Sequence, residues 1–145
     1  MKKEKGKGEE REKQIQEKYI ELQAIALGLR ELQRNIQVMD EQIVEVLGVM
    51  QALKDLKNVK PGTESLMSIA PGIFVKAELK ENKELLINVG AGVTVKKSVE
   101  EAMQMLESRI NELKKQRQSL LQELEKLGTR AQQLEDEINT LVKNV

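Results

Sequence analysis

The chain has 145 residues, of which 33% are charged and only two, one Tyr and one Phe, are aromatic. A compact domain of this length ordinarily fills its core with several rings, each of which buries about 150–250 Å². Two rings cannot fill such a core, and the abundance of Glu, Lys, Leu and Gln is typical of long helices or coiled coils. Basic and acidic residues both number 24, so no net charge attracts nucleic acid.

The residue types that most enzymes use are missing from the sequence. Without cysteine there is no disulfide, thiolate nucleophile or cysteine-bound metal. Without histidine the chain lacks the commonest metal ligand and the commonest general base near neutral pH. We therefore expect no enzymatic activity and no cofactor. No uncharged run approaches the ~20 residues of a membrane span, and no apolar signal segment begins the sequence, so we expect a cytoplasmic protein with no membrane or nucleic-acid partner.

The first part of the sequence predicts a solvated tail followed by a long helix. Residues 1–10 are rich in Lys, Glu and Gly and have almost nothing to bury, which favours a tail. Residues 11–57 contain no proline, and their apolar residues alternate at spacings of three and four, which is the heptad pattern of a coiled coil. The seam residues of this helix are Leu22, Ile25, Leu29, Leu32, Ile36, Met39, Ile43, Val46, Met50 and Leu53.

A second seam begins near Ser98 and continues through residues 98–145. Ser98 suits the N-cap of a helix, and Glu100 and Glu101 would lie in the first turn, where carboxylates favour the helix dipole. Arg117 is the one residue that breaks the apolar spacing. The apolar seam residues are Val99, Met103, Leu106, Ile110, Leu113, Leu120, Leu124, Leu127, Ala131, Leu134, Ile138, Leu141 and Val145.

The two seams match as an antiparallel pair within one chain. If paired residues have numbers that sum to about 156, Leu22 meets Leu134, and a positions oppose d positions along the seam. The same register places Met39 opposite Arg117. A long Arg can lay its stem along the seam while its guanidinium reaches outward, so we expect it to reach Asp40.

Between the helices, residues 58–97 have a different pattern that predicts two consecutive β-hairpins. Four segments are short, alternating and rich in β-branched residues, as strands are. Pro71 with Gly72, and residues 90–92, supply the turns. The four segments are residues 64–69, 72–80, 84–89 and 93–97.

These hairpins predict an oligomerisation platform. Four short strands cannot cover their own apolar faces, because isolated hairpins are marginal in water and their open edges are sticky. Closing the strands of several subunits into a β-barrel solves both problems. The alternative is a small sheet folded over the end of the coiled coil. The platform residues are Ile73, Phe74, Val75, Ala77, Leu79, Leu85, Ile87, Val89, Val93 and Val95.

The far end of the helix pair predicts a second interaction surface, a tip that contains both chain termini. Ile20 and Val142 occupy heptad positions away from the seam, so they are available to another molecule. The simpler alternative is that single exposed apolar residues are ordinary and that the seam residues complete the helix pairing. The candidate tip residues are Ile15, Tyr19, Ile20, Ile138, Leu141, Val142 and Val145.

The order of coiled coil, two hairpins and coiled coil resembles the alpha-type subunit of archaeal prefoldin. The most specific similarity lies in residues 65–79 (SLMSIAPGIFVKAEL) and 88–93 (NVGAGV), at this spacing between two long helices. The resemblance implies an α+β fold in which a long antiparallel two-helix coiled coil carries two β-hairpins at its turn end. It further implies that the hairpins assemble into an intersubunit β-barrel platform.

The same resemblance implies a function and partners. Prefoldin is a hexamer of two alpha and four beta subunits, and it acts as an ATP-independent holdase. The coiled-coil tips capture non-native proteins, which are passed to a group II chaperonin.

The first hairpin departs from the family pattern. The family usually has Pro where this chain has Ser68, and Gly-Ala-Gly-Ser where residues 70–73 read APGI. Pro71 removes a donor from the strand ladder, and Ile73 adds apolar surface. A homomeric or filament-forming scaffold of the prefoldin type therefore remains the alternative.

Overall fold

A computed structural model describes residues 2–144, with side chains from residue 5 onward. Met1 and Val145 lie outside the described residues. The elements in chain order are α1 (Lys2–Lys57), β1 (Glu64–Ala70), β2 (Ile73–Glu78), β3 (Glu84–Gly90), β4 (Val93–Ser98) and α2 (Val99–Lys143). The α+β fold expected from the sequence is confirmed, because two long helices enclose two antiparallel hairpins. Neither helix, over its described residues, has a stretch apolar and long enough to cross a bilayer.

The chain forms two compact units, and the first combines α1 up to Glu41 with α2 from Lys115 onward. Its interior is the predicted heptad seam, in which Leu134 is completely buried. Pairs of side chains across the helices show the register. The Nζ of Lys18 donates to the carboxylate of Glu137 at 2.6 Å. The numbers of these two residues sum to 155, which differs by one from the sum of about 156 that the sequence predicts for paired residues. The buried apolar residues of this unit are Ile25, Leu32, Ile36, Leu134 and Ile138.

Arg117, the polar residue that interrupts the apolar seam, reaches Asp40 as the sequence predicts. The Nε of Arg117 donates to Oδ1 of Asp40 at 2.6 Å, and both side chains remain partly exposed. The guanidinium thus leaves the seam toward water while the aliphatic stem stays beside it. A polar residue in an apolar seam is a common way to fix register at some cost in stability.

The start of α1 differs from the expected tail. The helix begins at Lys2, and the side chains of residues 5–10 are exposed on it. Glu and Lys are good helix formers, although Gly6 and Gly8 each weaken a helix by about 1 kcal/mol relative to Ala. Extending an existing helix requires no new nucleus. Residues with nothing to bury therefore continue the helix that the seam has already formed.

The second unit comprises Gln42–Lys114 and holds both hairpins. The Oγ of Ser98 accepts the backbone N–H of Glu101 at 3.1 Å and donates to the Glu101 carboxylate at 3.2 Å, which is the N-cap arrangement that the sequence predicts. Lys57 pairs with Glu100 at 2.6 Å, so the end of α1 meets the start of α2. The buried residues of this unit are Val99, Ala102, Ile110 and Leu113.

One side chain joins the end of α1 to the segment that connects the two hairpins. The amide nitrogen of Asn82 donates to the backbone carbonyl of Leu56 at 3.1 Å and to that of Val59 at 2.8 Å. The carbonyl of Lys57 lies 3.3 Å from the same nitrogen. Carbonyls in the last turn of a helix have no partner within the helix, so Asn82 acts as a C-cap supplied by a distant loop.

The two hairpins have different turns. Ala91 and Gly92 have φ values of 51° and 74°, the pattern of a type I′ turn. In the first hairpin Gly72 has φ 80°, whereas the ring of Pro71 holds its φ near −65°, which is the pattern of a type II turn. Ala91 is the one residue other than glycine with positive φ among the described residues.

We expect Ala91→Asn to raise the free energy of unfolding by about 1 kcal/mol. A left-handed backbone costs an ordinary L-residue about 1–2 kcal/mol, and Asn tolerates it better than Ala. Urea denaturation followed by circular dichroism measures the change. Ala70→Asn is the matched control, because Ala70 lies beside the turn of the first hairpin and its own φ is not positive. Equal gains at the two positions would contradict the role of the turn.

Candidate protein-binding surfaces

The first unit exposes apolar side chains on faces that the helix seam does not use. Ile20 and Leu27 are 64% and 67% exposed, although both are large aliphatic residues of a well-packed helix pair. Tyr19 and Val142 are about half exposed. We call Tyr19, Ile20, Leu27 and Val142 the terminal helix surface. Such residues do not contribute to the seam, so they are available for contact with another molecule.

The remaining candidate tip residues have different positions in the structure. Ile15 and Leu141 are half-buried along the seam. Ile138 is only 3% exposed and belongs to the packed interior, so it offers no surface in this state. Val145 lies outside the described residues. The structure therefore separates the off-seam residues Ile20 and Val142 from the seam residues with which the sequence grouped them.

Leu27 was not among the residues singled out from the sequence. It follows Ile20 by seven residues, so both occupy the same heptad position on the outer face of α1. A search for apolar residues that repeat at seven-residue intervals away from the seam would have found it. The structure shows both side chains exposed, which extends the apolar surface over two heptads.

Charged side chains line a groove beside this surface. The groove has a volume of about 570 Å³, and residues 14–21 of α1 face residues 136–141 of α2 across it. Lys18 holds Glu137 at 2.6 Å, and Arg130 binds Glu21 through two donors at 2.9 and 3.1 Å. These pairs link the helices in water, where screening by solvent leaves an exposed ion pair with little net stabilisation.

The two ion pairs shift the pKa values of Glu21, Glu137 and Arg130. The hydrogen bond from Arg130 lowers the pKa of Glu21 below its ordinary value, and the hydrogen bond from Lys18 does the same to the pKa of Glu137. The bond to Glu21 raises the pKa of Arg130. Because the pKa values of the two carboxyls are lowered and that of the guanidinium is raised, Glu21, Glu137 and Arg130 carry their charges at neutral pH and link the two helices.

The second unit exposes a larger set of apolar side chains on the two hairpins. We call this set the hairpin surface. It includes five of the predicted platform residues, whereas Ala77, Leu79, Leu85, Ile87 and Val95 are half-buried. Contiguous exposed apolar residues of this kind mark interaction sites. The members of the hairpin surface are Leu66, Met67, Ile69, Ile73, Phe74, Val75, Leu86, Val89 and Val93.

Four members of the hairpin surface were not predicted from the sequence, namely Leu66, Met67, Ile69 and Leu86. Alternation along the strands predicted one apolar and one polar face for each hairpin. In a two-stranded sheet both faces can remain open, so apolar residues on either face are exposed. The available signal was that all four are large apolar residues within segments already predicted to be strands.

Comparison with known proteins decides the family. The family model described as "Prefoldin: Prefoldin subunit" matches residues 25–144, which is most of the chain. The chain belongs to the prefoldin family. An alpha subunit of prefoldin from Thermofilum pendens is 30% identical over 118 residues, covering 81% of this chain and 92% of the relative. An alpha subunit from Archaeoglobus fulgidus is 26% identical over 127 residues, covering 88% and 93% respectively.

A solved prefoldin structure has the same fold. The filamentous prefoldin from Methanocaldococcus jannaschii, determined by cryo-electron microscopy, superposes with a TM-score of 0.72 at 22% identity, covering 80% of this chain and 96% of that one. The named relatives make this chain an archaeal prefoldin of alpha type. Prefoldins are chaperones rather than enzymes, and their alpha subunits function in multi-subunit complexes. The resemblance found in the sequence is confirmed.

Proposed function

We propose that this chain is a subunit of an ATP-independent holdase that binds non-native proteins on the terminal helix surface. The observation that carries the proposal is the exposure of Ile20 and Leu27. Both occupy the same heptad position, on a face of α1 that does not contact α2 in the seam. Unfolded proteins present apolar segments in many arrangements. A shallow surface on a helix pair can contact such segments without a shaped pocket.

The half-buried seam residues near the chain termini extend this surface in the proposed mechanism. Helix ends open locally at low free-energy cost, and opening exposes Ile15 and Leu141. A client therefore first contacts the terminal helix surface, which is always exposed. It then contacts the seam residues once the helix ends have separated. Ile138 is buried in the closed helix pair, so in this proposal it contacts a client only after the helix ends have separated. Val145 completes the set in this proposal.

The hairpin surface serves assembly in the proposed function. Two copies of this chain and four beta-type subunits would form a hexamer whose hairpins close into a double β-barrel. The support is the exposure of apolar side chains on two sheets of only two strands each, because such sheets are marginal without covering partners. The assembled cytoplasmic complex would pass its clients to a group II chaperonin.

A homomeric or filament-forming scaffold is the second candidate. It is favoured by the departures at Ser68 and at residues 70–73 in the first hairpin. The fold is also shared with a prefoldin that is described as filamentous. In such a scaffold the hairpins would join copies of this chain alone, and the terminal helix surface would be dispensable.

The test is a double substitution, Ile20→Ser with Leu27→Ser, in the assembled protein. We expect about a tenfold higher concentration of protein to be needed for half-suppression of the aggregation of a heat-denatured client, without nucleotide. Each substitution removes roughly 0.7 kcal/mol of apolar contact with the client, and the two together remove the about 1.4 kcal/mol that corresponds to a tenfold change. Light scattering measures the suppression, and analytical ultracentrifugation confirms that the assembly is retained.

The matched control is Val44→Ser with Leu47→Ser. These residues are also exposed and aliphatic on α1, but they lie in the second unit. Unchanged suppression by the Ile20 and Leu27 variant would overturn the proposed client surface and favour the scaffold. Equal losses in both double variants would show that apolar surface in general, and not this surface, binds the client.

A further inference from the structure

The first unit has a second groove that repeats the charged groove two heptads further along the helix pair. The charged groove is lined by residues 14–21 of α1 and 136–141 of α2. The second, with a volume of about 330 Å³, is lined by residues 28–35 of α1 and 120–127 of α2. We call it the glycine groove, after Gly28. Positions two heptads apart share one face of a helix pair, so the residues of the two grooves can be compared one by one.

The two grooves differ in one cation. In the charged groove the Nζ of Lys18 donates to the carboxylate of Glu137 at 2.6 Å. The positions two heptads away are Leu32 and Glu123, and both line the glycine groove. Leu32 is a buried seam residue without charge. The carboxylate of Glu123 therefore lacks the internal partner that its counterpart has.

The glycine groove is acidic without a counter-ion of its own. Glu31 and Glu123 are exposed and line it, and within the described part of the chain none of its lining residues is basic. Arg34 and Lys126 each follow one of these acids by three residues. Even so, none of the ion pairs formed by side chains from residue 5 onward includes either carboxylate. Both are available to a cation from another molecule.

The floor of the glycine groove is apolar and accessible. Leu120 and Leu127 line it and are half-buried, so part of each side chain faces the solvent. Gly28 has no side chain to cover them. A Cβ at Gly28 would lie 3.4 Å from Cδ1 of Leu127, which is an ordinary contact distance. Crowding does not require glycine here, although glycine weakens a helix by about 1 kcal/mol relative to Ala.

We propose that the glycine groove binds client segments in which apolar residues are flanked by lysine or arginine. The inference rests on the proposed function, in which clients contact Leu27, the residue directly before Gly28. An apolar side chain of the segment covers Leu127, and its cation pairs with Glu123 as Lys18 pairs with Glu137 in the charged groove. Complementary charge of this kind selects among partners. Clients rich in basic residues are therefore preferred over acidic ones.

Two fluorescent peptides test this preference in the assembled protein. They share one apolar centre and differ only in their ends, which are lysines in one peptide and glutamates in the other. We expect fluorescence anisotropy at low ionic strength to show about tenfold tighter binding of the lysine peptide, and added salt to reduce the difference. Equal affinities would overturn the preference and leave the proposed client surface intact. Binding of neither peptide would overturn the proposed function as well.

Glu31→Gln combined with Glu123→Gln tests whether the groove causes the preference. We expect this double variant to bind the lysine peptide at least fivefold more weakly. Glu125→Gln combined with Glu135→Gln is the matched control, because it removes the same charge from exposed positions of the first unit that line neither groove. Equal losses in the two double variants would show a general attraction between charges and overturn the assignment to the glycine groove.

Gly28→Met and Gly128→Met test the apolar floor. The first substitution places a side chain in the groove, whereas a Cβ at Gly128 meets nothing within 4 Å and Gly128 lines neither groove. Met favours a helix over Gly, so circular dichroism should show both variants folded. We expect at least fivefold weaker binding of the lysine peptide by Gly28→Met and less than a twofold change by Gly128→Met. Unchanged binding by Gly28→Met would overturn the proposal, and a smaller assembly with unchanged binding would assign the groove to another subunit instead.

Discussion

Leu134→Ala is expected to lower the free energy of unfolding by about 3 kcal/mol. Leu134 is 0% exposed and is one of the two largest fully buried side chains in the described chain. Removing a buried Leu side chain loses its transfer free energy and leaves a cavity, which together cost about 2–5 kcal/mol. A narrow helix seam has no second layer of side chains to fill that cavity. Urea denaturation followed by circular dichroism measures the loss.

Leu27→Ala is the matched control for this prediction. Leu27 lies in the same unit, but its side chain is mostly exposed, so the change in unfolding free energy should stay within about 0.5 kcal/mol. A loss at Leu134 no larger than that at Leu27 would contradict the packing described for the seam. The contrast also separates stability from client binding, because Leu27 belongs to the terminal helix surface and Leu134 does not.

Arg117→Leu is expected to raise the free energy of unfolding by about 1–2 kcal/mol. A half-exposed ion pair contributes little, and replacing a paired charge in an apolar seam by an aliphatic residue is often stabilising. Asp40, its partner, is about half exposed and can be solvated without Arg117. Urea denaturation tests whether the free energy of unfolding rises. It would fall instead if the Arg117–Asp40 ion pair mainly stabilised the fold.

The gain in stability should be accompanied by a loss of unique register. A polar residue in a seam excludes shifted pairings, because a shift would bury its charge. Spin labels placed on α1 and α2 should give a broader distance distribution in Arg117→Leu than in the unsubstituted chain. Arg130→Leu is the control, since Arg130 pairs with Glu21 outside the seam, and it should leave the distribution narrow. A destabilised, equally narrow Arg117→Leu variant would contradict the proposed role.

The sequence predicted those parts of the fold that depend on repeated local patterns. Heptad spacing predicts both helices, and the a-to-d matching predicts their antiparallel register, which Lys18 with Glu137 and Asp40 with Arg117 confirm. The strands lie within two residues of their predicted limits, because alternation and turn residues both identify them. Each of these features depends on many residues that agree with one another.

The features that the sequence did not predict depend on cooperativity or on faces that local patterns do not distinguish. Residues 2–10 are helical because they extend an existing helix, which composition alone does not reveal. The exposure of Leu66 and Leu86 follows from sheets of only two strands. The burial of Ile138 follows from close seam packing near the end of α2. The candidate client and assembly residues remain predictions that the experiments above test.

The side-chain amide of Asn82 makes one loop position less tolerant of substitution than most positions of the helices. Helix pairing is spread over many aliphatic residues, so a conservative exchange at one seam position leaves the other contacts in place. The C-cap of α1 depends on one side chain that donates to the carbonyls of Leu56 and Val59. An aspartate there would set carboxylate oxygens against carbonyl oxygens, and an aliphatic residue would leave those carbonyls without this donor. We therefore expect substitutions at this single loop position to be tolerated less well than conservative aliphatic exchanges in the seam.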